Sequence, residues 1–177
     1  GLGAKVMAKM GAQTQLLAAA DIYPALERGV IDATEFSMPT IDTKLGFHQI
    51  AKYNYFPGWH QQVSVSEFLM NKGQWDKLSK QQQRIIQIGL GETTMHTYAE
   101  TEAKNFDAMA LMQTKHGVNV RRWPDETLKT FEKAWFEVVE EESAKDELFK
   151  KIADHFYGFR AKYKVWGDAQ YLKGTYQ

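Results

Sequence analysis

The stretch from Ser79 to Gly117 constrains the fold of this 177-residue chain more than any other part of the sequence. It begins with Ser79-Lys80-Gln81-Gln82, which matches the capping box S-x-x-Q, where two side chains satisfy free amides at a helix start. Apolar residues then recur at helical spacing, and His116-Gly117 closes the stretch in the way that helices commonly end. The sequence therefore predicts one long helix between these two signals.

Residues 1–70 alternate short helical and strand patterns. Gly11 and Gly29 are expected to end helices and Pro39 to begin one, while Asp21 is expected to cap a helix that holds Pro24 in its first turn. Short strands are predicted at residues 12–17, 31–36 and 50–56, and residues 62–70 alternate imperfectly. Such alternation of strands and helices is typical of an α/β fold.

The chain after the long helix begins with a predicted strand in VNVRRW (118–123), where two arginines beside a tryptophan favour a solvated strand edge over an anion site. Pro124 and Asp125 start a second helix, and residues 143–146 interrupt it. The helices beyond Pro124 carry many Phe, Trp and Tyr residues, which is more apolar surface than a solvated helix keeps exposed. They are expected either to fold back on their own lobe or to dock on a second subunit.

Composition excludes several classes of function. The chain has 22 basic and 22 acidic residues, and a nucleic-acid groove needs a surplus of Lys and Arg. No apolar run approaches the roughly 20 residues that cross a bilayer. The chain contains no cysteine, which excludes disulfides and thiolate metal sites and is compatible with an oxidising compartment.

The opening sequence GLGAKVMAKMGAQ resembles a helix inside a fold more than a leader segment. It has no long apolar region of the kind that a signal peptide carries. We therefore expect the chain to be part of a longer protein.

Three polar or aromatic positions are candidates for ligand contacts. Glu35 is expected on a short, half-buried strand, where its carboxylate needs a salt bridge with Arg28 or a lysine, or else a cation or polar ligand in a cleft. Gln61 and its neighbour Gln62 follow a Pro-Gly turn, where loops often deliver ligand contacts, although such residues are more often simply solvated. Trp59 is expected either in a core or as a lid.

Catalysis has little support in the sequence. The histidines have no paired spacing of the H-x-x-x-H kind, which argues against a zinc site. No nucleophile elbow, P-loop or complete G-x-G-x-x-G pattern is present. An enzyme using Glu35 as general base is the weakest hypothesis, because no partner acid, nucleophile or cofactor motif accompanies it.

Four segments, taken together and in order, resemble a known family. ALERGVIDATEF, DTKLGFHQIAKYNYFPGWHQ, EFLMNKGQWDKLS and VRRWPDETL are similar to the substrate-binding proteins of tripartite ATP-independent periplasmic (TRAP) transporters. The subgroup that binds 2-oxo acids and related organic acids is the most similar, and the resemblance covers essentially the whole chain.

The resemblance implies an α/β fold: the C-terminal portion of a two-lobed, type II periplasmic-binding-protein-like fold with long C-terminal helices. Residues 1–70 would carry half of the ligand cleft, residues 71–124 the connecting helix and return strand, and residues 125–177 aromatic helices that dimerise the protein in several relatives. The N-terminal lobe, with the arginine that clamps the ligand's carboxylate, would precede this chain. The whole protein would be a periplasmic receptor that delivers a 2-oxo or 2-hydroxy acid to membrane subunits and catalyses nothing. An alternative role for this part of the chain is assembly through helix exchange.

The resemblance also assigns a cation site. In this subgroup the Glu of the DATE-like motif and the next residue's carbonyl oxygen hold sodium or calcium, which bridges to the substrate, and these positions match Glu35 and Phe36. The family commonly has Trp at Phe36, and an acidic second ligand at the position of Gln61. An amide offers one neutral oxygen, so the loss of charge disfavours a divalent ion more than a monovalent one. Trp59 and Gln61 complete the expected substrate-binding set.

Overall fold

The computed structural model describes residues 1–59, 61, 63–64 and 66–171. The chain forms two compact units, one from Gly1–Leu16 with the chain from Pro124 onward, and one from Leu17–Trp123. The predicted division into 1–70, 71–124 and 125–177 concerned the parts of a two-lobed protein and stays a prediction. In order, the elements are α1 (Leu2–Lys9), α2 (Ala19–Glu27), α3 (Pro39–Lys44), α4 (Phe47–Ile50), β1 (Tyr53–Phe56), α5 (Lys72–Lys77), α6 (Lys80–Thr114), β2 (Asn119–Arg122), α7 (Asp125–Ser143) and α8 (Glu147–Gln170).

The first unit packs α1 and α8 against α7. Val6 of α1 and Val138 of α7 are almost completely buried, and Lys9 pairs with Glu141 at 2.6 Å at the edge of the unit. The indole Nε1 of Trp135 on α7 donates a hydrogen bond to the Tyr157 hydroxyl of α8 at 2.6 Å. These contacts use one face of α7, as its amphipathic sequence predicts.

The second unit is organised by α6 and a two-stranded parallel sheet. α3 packs along α6. Met112, also on α6, is 2% exposed. β1 and β2 pair from Tyr53 opposite Asn119 to Phe56 opposite Arg122. Since parallel strands need a long crossover, the segment containing α5 and α6 supplies the connection that brings β2 beside β1.

The boundaries set by local signals are confirmed. Ser79 caps α6 in a capping box with Gln82, and Gly117, with φ of +65°, follows the helix end. Strands β1 and β2, the start of α7 and the interruption before α8 also agree with the sequence. In α2 the prediction was wrong in detail, because the helix begins at Ala19, so that Asp21 lies in the first turn and Pro24 lies inside the helix.

Other strand predictions were wrong for the described residues. Residues 12–17 and 31–36 are not in strands, and neither are the described residues of the segment 62–70, in which Gln62 and Val65 lie outside the described part. An extended segment becomes a strand only when another strand pairs with it. In the described residues, pairing is limited to β1 and β2.

Several helices present apolar side chains to solvent. On α8 the exposed set comprises Leu148, Ile152, Phe156, Phe159, Tyr163, Val165 and Trp166. None of the described helices is long and apolar enough to span a membrane.

Candidate functional site

Glu35 lies in a segment without regular secondary structure between α2 and α3, and its side chain is exposed. The predicted half-buried strand was therefore wrong, because no strand pairs with this segment among the described residues. The salt bridge with Arg28 or a lysine is also not formed among the described ion pairs. The Thr34 hydroxyl donates a hydrogen bond to the Glu35 carbonyl oxygen at 2.8 Å. The Glu35 carboxylate is thus accessible to a ligand.

Phe36 is anchored by its ring. Its centroid lies 4.8 Å from that of Phe47 on α4, and Phe47 is 7% exposed and also meets the edge of Tyr23 at 5.7 Å. Such aromatic pairs add stabilisation beyond the area they bury. In the described residues, no backbone hydrogen bond occupies the Phe36 carbonyl oxygen. The ring therefore fixes the position of a carbonyl that has capacity for a ligand.

Asp42 is an acidic neighbour that the sequence analysis missed. Burial raises the pKa of this α3 carboxyl to about 6, with the negative charge of Glu35 adding to the rise and a backbone hydrogen bond from Ser37 opposing it. Its Oδ1 atom is buried and has no hydrogen-bond partner in the described part of the chain. The charge of Glu35 thus acts on the Asp42 carboxyl, and the signal was an aspartate seven residues after Glu35 on a short helix.

Trp59 and Gln61 lie after β1. The Trp59 side chain is half-buried. It is therefore neither a fully buried core residue nor a fully exposed lid residue. Gln61 is exposed, and its Nε2 donates a hydrogen bond to the Ser64 hydroxyl at 3.1 Å, so that its amide oxygen retains acceptor capacity. His60 and Gln62 lie outside the described residues.

The expected site residues are not joined directly. Among the described residues, no hydrogen bond links Glu35 with Gln61, and no cluster of three or more acidic or histidine side chains could hold a metal. The donors that the chain offers are a carboxylate, a backbone carbonyl and an amide. All three are oxygen ligands of the type that sodium and calcium accept. The chemistry of each donor is therefore compatible with a hard cation, and no described contact groups the three donors.

Most of the chain matches a known protein family. The model of bacterial extracellular solute-binding protein family 7 (DctP) matches residues 1–146. The chain belongs to this family. This membership confirms the resemblance that the four sequence segments indicated. Family 7 is a family of solute-binding proteins.

Known proteins similar to this family 7 chain include one named for its ligand. The chain is 31% identical over 166 residues to a monocarboxylate 2-oxoacid-binding periplasmic protein of Nostoc sp., and the match covers 94% of this chain and 45% of that protein. The chain thus spans about half the length of this relative.

Two crystal structures of TRAP solute-binding proteins share the fold. A Bordetella bronchiseptica protein, a mixed-occupancy dimer with calcium and picolinate in its occupied site, matches with a TM-score of 0.85 and 32% identity, over 96% of this chain and 50% of that one. A Pseudoalteromonas atlantica protein with bound sodium and pyruvate matches with a TM-score of 0.86 and 28% identity, over 96% and 52%. The predicted fold class is confirmed, and this chain corresponds to about half of such a protein.

Proposed function

We propose that the protein containing this chain is the periplasmic solute-binding component of a TRAP transporter. It binds a small 2-oxo or 2-hydroxy acid, with sodium or calcium bridging protein and ligand, and delivers the acid to the transporter's membrane subunits. It performs no chemistry on the ligand. The observation that carries this proposal is the agreement between a relative named for 2-oxoacid binding and two similar structures with a cation and a carboxylate ligand.

Each expected residue has one role in the proposed site. The Glu35 carboxylate and the Phe36 carbonyl oxygen hold the cation, and the Gln61 amide oxygen completes this chain's contribution. Trp59 forms part of the wall around the ligand. A hard cation allows a small carboxylate to be enclosed without uncompensated charge, since oxygen donors surround it. The remaining contacts, including an arginine for the ligand's carboxylate, come from the N-terminal lobe of the same protein.

Calorimetric titration of the full-length protein tests the proposal. The titrants are pyruvate, lactate and picolinate, each in sodium buffer, in calcium-supplemented buffer, and after treatment with a chelator in a choline buffer. We expect saturable binding of at least one acid and a dependence on the cation. Absence of binding by every acid in every buffer would contradict the proposal.

We propose further that α8 forms a homodimer interface, as the assembly alternative requires. The apolar residues on one face of α8 are at least half exposed, including Ile152 at 60% and Phe159 at 60%. They line a groove of about 510 Å³ together with Lys151 and His155. An exposed apolar surface of this kind is typical of an interface, and the similar Bordetella protein crystallised as a dimer.

Light scattering coupled to gel filtration tests the dimer. The double variant Ile152→Asp, Phe159→Asp places two charges on this face of α8, whereas Val165→Asp places one charge on the opposite side of the helix. We expect the wild type and the Val165 variant to be dimers and the double variant to be a monomer. A monomeric wild type would remove the assembly role and leave the ligand-binding proposal intact.

A further inference from the structure

The first turn of α3 lacks a cap from its own sequence. Its N-cap residue, Met38, has no side-chain acceptor for a helix amide. Proline at position 39 has no N–H, and the amides of Ile41 and Asp42 donate to the Met38 carbonyl oxygen. In this described turn, the amide of Thr40 is the donor that needs an acceptor from outside.

Asn105 in α6 supplies that acceptor. Its Oδ1 atom accepts hydrogen bonds from the Thr40 amide at 3.2 Å and from the Thr40 hydroxyl at 2.8 Å. Its Nδ2 atom lies 3.7 Å from the Met38 sulfur, within hydrogen-bond distance for that atom. All three contacts are partly buried. A residue 65 positions away in sequence thus performs the function that an N-cap side chain usually performs.

The capped turn continues directly into the segment that carries the candidate site. Pro39 is buried, and the next residues towards the N-terminus are Met38, Ser37, Phe36 and Glu35. Within this segment, the Phe36 ring packs on Phe47 of α4. Because no strand pairing holds this segment in the described residues, its position depends on side-chain contacts of two kinds. These are the Phe36 ring contact within the segment and the cap on the helix that follows it.

We propose that Asn105 is a positioning residue of the candidate site. By capping α3 from α6, it fixes where the segment presents the Glu35 carboxylate and the Phe36 carbonyl oxygen. Residues that orient ligand groups from a second layer change cation affinity although they do not touch the cation. This inference rests on the proposed function, and it assigns a role in ligand binding to the long helix α6.

Three variants of the full-length protein test this role, each titrated with pyruvate in sodium buffer and with picolinate in calcium buffer. Asn105→Leu removes the acceptor while keeping a similar shape, and Asn105→Asp keeps it. Trp135→Phe breaks the hydrogen bond to Tyr157 in the other unit and controls for a general loss of stability. Thermal unfolding and amide hydrogen exchange of Thr40, Ile41 and Asp42 are measured in parallel.

We expect Asn105→Leu to raise the dissociation constant by about 10-fold and to accelerate exchange of the Thr40, Ile41 and Asp42 amides in the first turn of α3, which are hydrogen-bonded in the wild type. Asn105→Asp and Trp135→Phe should bind as the wild type does. If Asn105→Leu does not fold, Thr40→Val decides, because it removes only the hydroxyl donor and should weaken binding in the same direction by a smaller factor.

Unchanged affinity in the deciding variant, with normal binding by the wild type, would overturn this inference alone. Equal weakening by Trp135→Phe would also overturn it, because the effect would then follow stability. Absence of binding by the wild type would overturn the proposed function together with the inference. The two failures are therefore distinguishable.

Discussion

The imidazole rings of His48 and His116 lie with their centroids 3.8 Å apart and their planes tilted by 33°. His48 belongs to α4, which precedes β1, and His116 belongs to the turn that precedes β2. Because β1 and β2 are parallel neighbours, the two histidines meet at the same end of the sheet. Burial lowers the pKa of His48, and the nearby charges of His116 and Lys52 lower it further.

This histidine pair predicts a loss of stability in acid. The unfolded chain binds a proton at His48 near the ordinary value of 6.5, whereas the folded chain binds it only at lower pH. The stabilisation that comes from keeping His48 neutral is therefore fully present above pH 6.5. It decreases as the pH falls below that value. Urea unfolding at pH 5.5 and pH 7.5 measures the difference.

His48→Gln should reduce this difference between the two pH values, and His96→Gln, on the exposed surface of α6 and outside the proposed dimer interface, serves as the control for the loss of an imidazole. If His48→Gln retained the full pH dependence of the wild type, the proposed origin of the acid sensitivity would be wrong.

Asp42 predicts a pH effect of the opposite sign. Since the pKa of its carboxyl rises from 3.8 to about 6 on folding, the folded state binds more protons between these values, and deprotonation above pH 6 costs stability. Asp42→Asn removes this cost and keeps an oxygen that can accept from Ser37. We expect it to raise the free energy of unfolding by about 1 kcal/mol at pH 7.5, after allowance for partial exposure.

The gain from Asp42→Asn should disappear at about pH 2.5, well below the ordinary pKa of 3.8, where the carboxyl is protonated in both states. Exposed Asp32→Asn is the matched control, and denaturant unfolding at the two pH values is the measurement. A gain that persisted unchanged in acid would assign the effect to packing and not to the charge.

Gln61 predicts the cation preference of the proposed site. Gln61→Glu adds a negative oxygen ligand, which favours a divalent ion over a monovalent one. We expect calcium-dependent binding of picolinate by the full-length protein to tighten on the order of 10-fold, with a smaller change for pyruvate in sodium. Gln81→Glu, on the exposed first turn of α6, provides the same charge change elsewhere. A result in which both variants behave alike would exclude Gln61 from the cation site.

The helix boundaries could be predicted because their signals are local. The capping box of Ser79 and Gln82 and the left-handed glycine at position 117 lie next to the ends they define. The strand predicted at 31–36 failed because strand formation depends on a partner that sequence spacing does not reveal. Asp42 and Asn105 were missed for a related reason, since one is buried by tertiary packing and the other acts on a helix 65 residues away.

For Glu35, the local sequence pattern and the family resemblance predicted different properties. Hydrophobic pattern predicted a half-buried strand, whereas the side chain is exposed in an unpaired segment. Its role as a cation ligand came from the resemblance of the surrounding motif and remains a prediction. Oxygen ligands from distant segments cannot be grouped by sequence spacing alone, because their grouping depends on tertiary structure.

In the proposed function, Glu35 binds the cation that holds the small organic acid. The most direct test is the dissociation constant of pyruvate for the full-length protein as a function of sodium and calcium concentration, in the wild type and in Glu35→Gln. We predict cation-dependent binding in the wild type, and in Glu35→Gln an affinity at least about 10-fold lower with near-normal thermal unfolding. Equal affinity and equal cation dependence in both proteins would contradict the account.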